Sequence, residues 1–358
     1  MKKTIPSRDR KGALSLFAVP LFILLASAAI LPAQTLQRAE ELMRQHDDKG
    51  AGHEFEALLK ANPQNAQYRV RYAQLLYRDF NQKDAQDLYA EALKLDPKNA
   101  DAMLGIAQIL ADNFDSRAKE YAEMALDANP KLYQARELLS KMALEDDDAK
   151  KANSEADAAL AIQPDAVQAI AVKASLDLLA DKESPWVTKI GKRGEGYETI
   201  AHFYMINRRY EECIDYFRKA IAATPDLWSA HSELGINLMR LGRDEEARKE
   251  LQLAYDQPFK GAETANSLTL LDSFKNFDTF RTPKTILRLN KKEADALRPY
   301  FEDVINRATA TYEKKYQYVL KAPLQRGEQL RVAIGQIIVS SVPLFAILPS
   351  SLLQHQTG

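Results

Sequence analysis

The sequence predicts an all-α protein, a solenoid of helical hairpins followed by a short incomplete α/β segment. Three observations lead to this fold class. Prolines recur every 33 or 34 residues through the middle of the chain. Small residues stand at fixed offsets before these prolines. Near the C-terminus the repeat stops, and a short run typical of a strand precedes a run with helical periodicity.

The repeat interval is marked by prolines. They are Pro63, Pro97, Pro130, Pro164, Pro225 and Pro258. The first four lie 34, 33 and 34 residues apart, and the gap of 61 before the fifth holds one complete repeat and a remnant of 27 residues. Because proline cannot continue a helix, each should close the second helix of a hairpin. Such frequent breaks also exclude a long coiled coil.

The second helix carries small or apolar residues at the same three positions in four repeats. These are Ala85, Tyr89 and Ala92; Ala118, Ala122 and Ala125; Ala152, Ala156 and Ala159; and Cys213, Phe217 and Ala220. The first helix has one small residue at a corresponding place, which is Ala73, Ser140, Ala201 or Gly235, with Ala107 one place late. Small residues at this spacing let two helices approach closely. The pattern resembles the tetratricopeptide repeat family, which implies antiparallel helix pairs of about 34 residues that stack on one another.

We expect seven such units between residues 34 and 261. The first, about 35–63, is weak because Gly50 and Gly52 loosen its turn. The 27-residue remnant has a clear first helix, 167–179, followed by a loop-like run at 181–186. Its second helix should therefore be short or absent. A decayed repeat is favoured there over a functional insertion.

The resemblance implies that the first helices line a concave groove that holds a protein or peptide. By family geometry, the residues facing this groove include Gln74, Tyr77, Gln108, Lys141 and His202, which we predict to bind the partner. The groove is mixed and polar, and its tyrosines could stack on, or hydrogen-bond to, an extended peptide. The lysine, asparagine and arginine clamp of some family members is not found at the matching positions. The alternative for each residue is a solvated helix face.

Residues 1–33 have the layout of a secretory signal. Five basic residues lie among the first eleven, and residues 13–31 are uncharged and mostly apolar. Small residues at Ala26–Ala28 and at Ala33 offer cleavage points. This pattern predicts an exported protein, periplasmic or secreted. An uncleaved membrane anchor is the alternative, because the apolar run is about long enough to span a bilayer.

Composition excludes several classes of function. The formal net charge is −1, which gives no support for nucleic-acid binding. The single cysteine, Cys213, cannot close an intramolecular disulfide or build a cysteine zinc site. The five histidines are scattered, with no second histidine at ligand spacing. We therefore predict no catalytic residue, no metal and no cofactor, and a scaffold for protein–protein interaction instead of an enzyme.

The region after the repeats changes character. We predict a capping helix at 262–281 and an incomplete α/β segment at 282–325, with a lone strand at 285–289 and a helix near 297–316. Ala265–Leu268 and Leu270–Phe274, together with this strand and helix, resemble the opening of a peptidase-MA-like domain. That family implies a zinc peptidase with an H-E-x-x-H motif, which is missing here. An inactive remnant of such an exported peptidase is therefore one alternative function.

The C-terminal tail, 326–358, is the least typical part of the chain. From residue 332 onward it contains no Asp, Glu, Lys or Arg. Residues 332–353 are long enough to span a bilayer, which would make the protein a membrane-tethered assembly or secretion factor. The competing interpretation is an out-of-frame or truncated ending. It is favoured because Pro343, Pro349 and several serines suit a spanning helix poorly and no aromatic belt is visible.

Overall fold

The computed structural model of the chain describes residues 36–45, 47–257, 261–317, 319 and 324–327. The predicted signal at 1–33 and the predicted membrane segment at 332–353 lie outside these residues. The chain divides into two compact units, the first ending at Ala128 and the second beginning at Asn129. Helical hairpins make up the first unit and most of the second, so the predicted fold class is confirmed.

Unit 1 is a stack of hairpins. Its helices are α1 (residues 36–44), α2 (Asp48–Ala61), α3 (Ala66–Arg78), α4 (Gln82–Leu95), α5 (Ala100–Asp112) and α6 (Arg117–Ala128). The first helix of each hairpin has an odd number and the second an even one. Helices α4 and α6 pack against their own first helices, and α2 and α4 also pack against the first helix of the next hairpin. Ala39 of α1 packs with Ala51 and Phe55 of α2. The weak first repeat is therefore a genuine hairpin.

Unit 2 continues the pattern and then adds a sheet. Its helices and strands are α7 (Tyr133–Glu145), α8 (Ala149–Ile162), α9 (Val167–Leu179), α10 (Trp186–Ile190), α11 (Gly194–Ile206), α12 (Tyr210–Ala223), α13 (Trp228–Arg240), α14 (Asp244–Asp256), α15 (Ala262–Ser273), β1 (Phe277–Thr282), β2 (Thr285–Asn290), α16 (Ala294–Tyr316) and β3 (Leu324–Gly327). The remnant repeat is α9 with α10. Its predicted first helix has the bounds expected, and its second helix is reduced to five residues.

The core between paired helices is made of the predicted small residues. The eighth residue of six first helices is buried in every case: Ala73, Ala107, Ser140, Ala174, Ala201 and Gly235. On the second helices that pack against them, Ala85, Ala118, Ala152 and Cys213 are 0% exposed. The placement of Ala107 one position late is therefore wrong. The interval from Pro97 to Pro130 is one residue shorter than its neighbours, and the missing residue lies between Asp112 and Ala118. Positions counted back from Pro130 are therefore displaced by one residue in the first helix of this repeat.

The predicted role of the prolines is confirmed. Helices α2, α4, α8 and α12 each end two residues before a repeat proline. Two residues after the proline, Asn65 and Asn99 begin the next first helix, and their side chains accept from the backbone N–H groups of Tyr68 and Ala102. An Asn at this position satisfies one of the unpaired donors at a helix start. The four-residue connection therefore ends one helix and caps the next.

In six of the hairpins, from α3–α4 onward, the turn contains one residue of positive φ. These residues are Phe80, Phe114, Asp147, Asp181, Arg208 and Gly242. In the first of these turns, the N–H of Phe80 donates to Tyr77 O at 3.1 Å and that of Asn81 to Leu76 O at 2.8 Å. This pair of bonds is the Schellman arrangement, which closes a helix through a left-handed residue. Its recurrence sets the tight reversal between the two helices of a hairpin.

The C-terminal region differs from the prediction in two ways. The capping helix α15 ends at Ser273, so its predicted extension to 281 is wrong: a 3₁₀ turn, Phe274–Asn276, leads into β1. The predicted lone strand is also wrong, because β2 pairs antiparallel with β1 and parallel with β3. Pro283 and Lys284 form the two-residue link between β1 and β2. Pairing on both edges satisfies the backbone groups of β2 that a lone strand would leave open.

The sheet lies between α16 and the last hairpin. On one face, Leu287 and Leu289 pack against Leu297, Phe301 and Ile305 of α16. Successive strand residues point to opposite faces, so Arg288 points the other way.

Arg288 is 5% exposed, and its guanidinium bonds to Asp244 of α14 and lies 4.3 Å from the ring centre of Phe274. Arg281 of β1 reaches the same carboxylate at 3.1 Å. These contacts anchor the sheet to the repeat array.

Candidate functional site

The first helices of the hairpins form the candidate binding surfaces. Successive first helices contact each other directly at α3–α5, α7–α9, α9–α11 and α13–α15, whereas second helices contact mainly the first helices beside them. We call the exposed side of the first helices the first-helix face, one in each unit. It is formed by Gln74, Tyr77, Gln108 and Asp112 in unit 1, and by Gln134, Lys141, Glu145, Glu198 and His202 in unit 2.

In unit 1, the predicted residues Gln74, Tyr77 and Gln108 are all half-buried on this face. The amide oxygen of Gln74 accepts from Arg71 at 2.8 Å. The hydroxyl of Tyr77 donates to Asp112 at 2.6 Å, across to the next first helix. Burial is the main cause that raises the pKa of Tyr77, and the Asp112 charge adds to it. Tyr77 is therefore a neutral donor already in use within the fold.

In unit 2, the predicted residues Lys141 and His202 converge on one carboxylate, Glu145. His202 Nε2 lies 2.8 Å from Glu145 Oε1, and Lys141 Nζ lies 3.9 Å from it. Burial acts to raise the pKa of Glu145, but the hydrogen bond from His202 and the charge of Lys141 outweigh it, so the pKa is lowered. The three side chains bring a carboxylate and two basic groups together on α7 and α11.

Two further carboxylates in unit 2 have raised pKa values, mainly because they are buried. Burial raises the pKa of Glu198, with Ser229 and Lys141 opposing it, and burial together with Glu263 raises the pKa of Glu233. Each raised pKa reflects a carboxylate held away from water near other negative charge. Burial therefore disfavours the ionised form of Glu198, on the first-helix face, and of Glu233, on α13.

Polar contacts link three of the four successive pairs of first helices in unit 2. Glu137 of α7 accepts from the backbone N–H of Gln168 at 2.9 Å and of Ala169 at 3.2 Å, at the start of α9. The Gln168 side chain in turn lies within hydrogen-bonding distance of Thr199 on α11. Ser232 of α13 pairs with Thr264 of α15 at 2.6 Å. These contacts fix the spacing of the first helices and hence the layout of the face.

Metal ligands and the cysteine thiol are the other groups to consider. Among the described residues, no cluster of His, Cys, Asp or Glu could hold a metal ion. Burial raises the pKa of Cys213 to about 12, which leaves a neutral and unreactive thiol. No helix within the described part of the chain is long and apolar enough to cross a membrane.

Sequence reasoning missed the residues that organise the site. Glu145 was not predicted, although it lies four residues after Lys141 on the same helix, a spacing that places two side chains side by side. Glu198 and Glu233 were also missed, because their burial depends on packing between hairpins. Gln134 is exposed on the same side of α7 as Lys141, seven residues earlier, and could have been found from helical periodicity.

Family models match two stretches of the chain. Both are described as tetratricopeptide repeats, and they cover residues 83–113 and 194–227. The first stretch spans α4 and α5 and the second spans α11 and α12. The chain therefore contains tetratricopeptide repeats in both units. Both matches lie before residue 228, so they give no support to the peptidase-MA-like resemblance farther along the chain.

Comparison with known proteins gives distant structural likeness only. No curated protein matched the sequence. A tetratricopeptide repeat protein from Parabacteroides merdae ATCC 43184 is 15% identical with a TM-score of 0.46, over 67% of this chain and 98% of that chain. PilW, a type IV pilus biogenesis factor, is 18% identical with a TM-score of 0.38, over 66% and 98%. YrrB, described as having an unusual peptide-binding site, is 19% identical with a TM-score of 0.30, over 60% and 97%. These scores are too low to carry a functional argument.

Proposed function

We propose that the protein is a scaffold that binds a protein or peptide partner on the first-helix face. The observation that supports this most directly is the geometry of unit 2, where Lys141, His202 and Glu145 meet on the face that successive first helices share. Polar groups held by packing on rigid helices suit recognition of an extended chain, because little ordering is needed on binding. Tetratricopeptide repeats in other proteins generally serve as interaction scaffolds.

The chemistry of the face indicates what the partner carries. Burial disfavours the ionised forms of Glu198 and Glu233, and a cationic side chain of the partner placed near them would stabilise those forms. Lys141 and His202 can in turn donate to backbone carbonyls or carboxylates of a bound chain. The partner of this proposal is therefore a polypeptide with basic side chains, held by both its charges and its backbone.

A matched pair of variants tests the binding face. The partner is captured with the tagged protein, identified, purified, and then titrated against Gln108→Ala and Lys141→Ala. Neither side chain carries a strong bond within the fold, so stability should hold while affinity falls. Lys119→Ala and Lys150→Ala serve as controls, because both residues are exposed on second helices. If the control variants weaken binding as much as the face variants do, the partner binds elsewhere.

Export is the second part of this proposal. It is supported by the basic start of the chain and the uncharged run at 13–31. N-terminal sequencing of the protein isolated from its own cell should give a chain that begins after Ala28 or Ala33. A protein that keeps residue 1 and stays in the cytoplasm would contradict export and leave the binding face unaffected.

A further inference from the structure

We draw no further inference here: the strongest candidate, a cavity of about 310 Å³ between α1 and α3 that is lined by Arg44, Arg71, Arg78 and two further side chains, carries none, because each of these guanidiniums already pairs with a carboxylate of unit 1 and nothing in the described part of the chain shows what would fill the cavity.

Discussion

The carboxylate of Glu137 caps a helix that belongs to the next repeat. It accepts from the backbone N–H of Gln168 at 2.9 Å, at the start of α9, where the N-cap residue Ala166 supplies no side-chain bond. Glu137 is 8% exposed. A buried acceptor that satisfies two helix-start donors links the remnant repeat to the complete repeat before it.

Removing this cap should destabilise unit 2. Glu137→Ala leaves the N–H groups of Gln168 and Ala169 without their acceptor, at a cost of about 1–3 kcal/mol in the free energy of unfolding. Both bonds end on the same oxygen, Oε1. Glu137→Gln retains that oxygen and should cost much less. Chemical denaturation of the two variants measures the difference, and equal losses would show that the cap contributes little.

The ion pair of His231 should make stability depend on pH. Its Nδ1 lies 2.6 Å from Glu250 and its Nε2 lies 3.1 Å from the carbonyl oxygen of Pro225. Both partners are acceptors, so both ring nitrogens must carry protons. The hydrogen bond to Glu250 is the main cause that raises the pKa of His231.

Because its folded pKa is raised, His231 stabilises the protein fully below its ordinary pKa of about 6.5, and that contribution is lost as pH rises through the raised value. The difference in free energy of unfolding between wild type and His231→Gln should therefore be largest at low pH and shrink as pH rises. Thermal melting of both proteins from pH 5 to 9 measures it. A difference that is constant over this range would contradict a charged His231.

The left-handed turns predict opposite effects for two substitutions. Asp147→Gly should stabilise the protein by about 0.5–1 kcal/mol, because glycine adopts positive φ without steric cost. Gly242→Ala should destabilise it by about 1 kcal/mol or more, because its φ is 72°. Urea unfolding of both variants tests the turn geometry. Stabilisation by Gly242→Ala would place that turn in another conformation.

The tight helix contacts predict the cost of overpacking. Ala118 is 0% exposed between α5 and α6, and Ala118→Leu should cost roughly 1–3 kcal/mol. Lys119→Leu, at the exposed neighbouring position, is the control and should change stability little. Thermal melting compares them. Equal melting temperatures for wild type and Ala118→Leu would show that the register of this hairpin is wrong.

Local patterns predicted the repeats, because every hairpin obeys the same short-range rules. The bounds of α9 and the shortened α10 could be read from sequence, since prolines and small residues mark them directly. The β1 strand could not be predicted from the sequence. Residues 277–282 carry no clear alternation, and their strand conformation depends on pairing with β2.

The candidate site could be predicted only in part, because the repeat pattern locates positions on the first helices but not the contacts between their side chains. Family geometry located Lys141 and His202, but not the carboxylate of Glu145 that joins them. Nor did the sequence reveal Phe80 and Phe114 as exposed rings, because aromatic residues near a helix end usually indicate burial. Only the backbone conformation and the exposed area distinguish them.

Site-specific photo-crosslinking tests the central claim that the partner binds the first-helix face. A benzophenone amino acid is placed at Gln134 or Lys141 on α7, and at Ser154 on α8 or Asp215 on α12 as controls on second helices. We predict that a discrete polypeptide adduct forms from the two α7 positions and not from the two controls. Adducts of the same polypeptide from Ser154 or Asp215, with none from α7, would contradict the account.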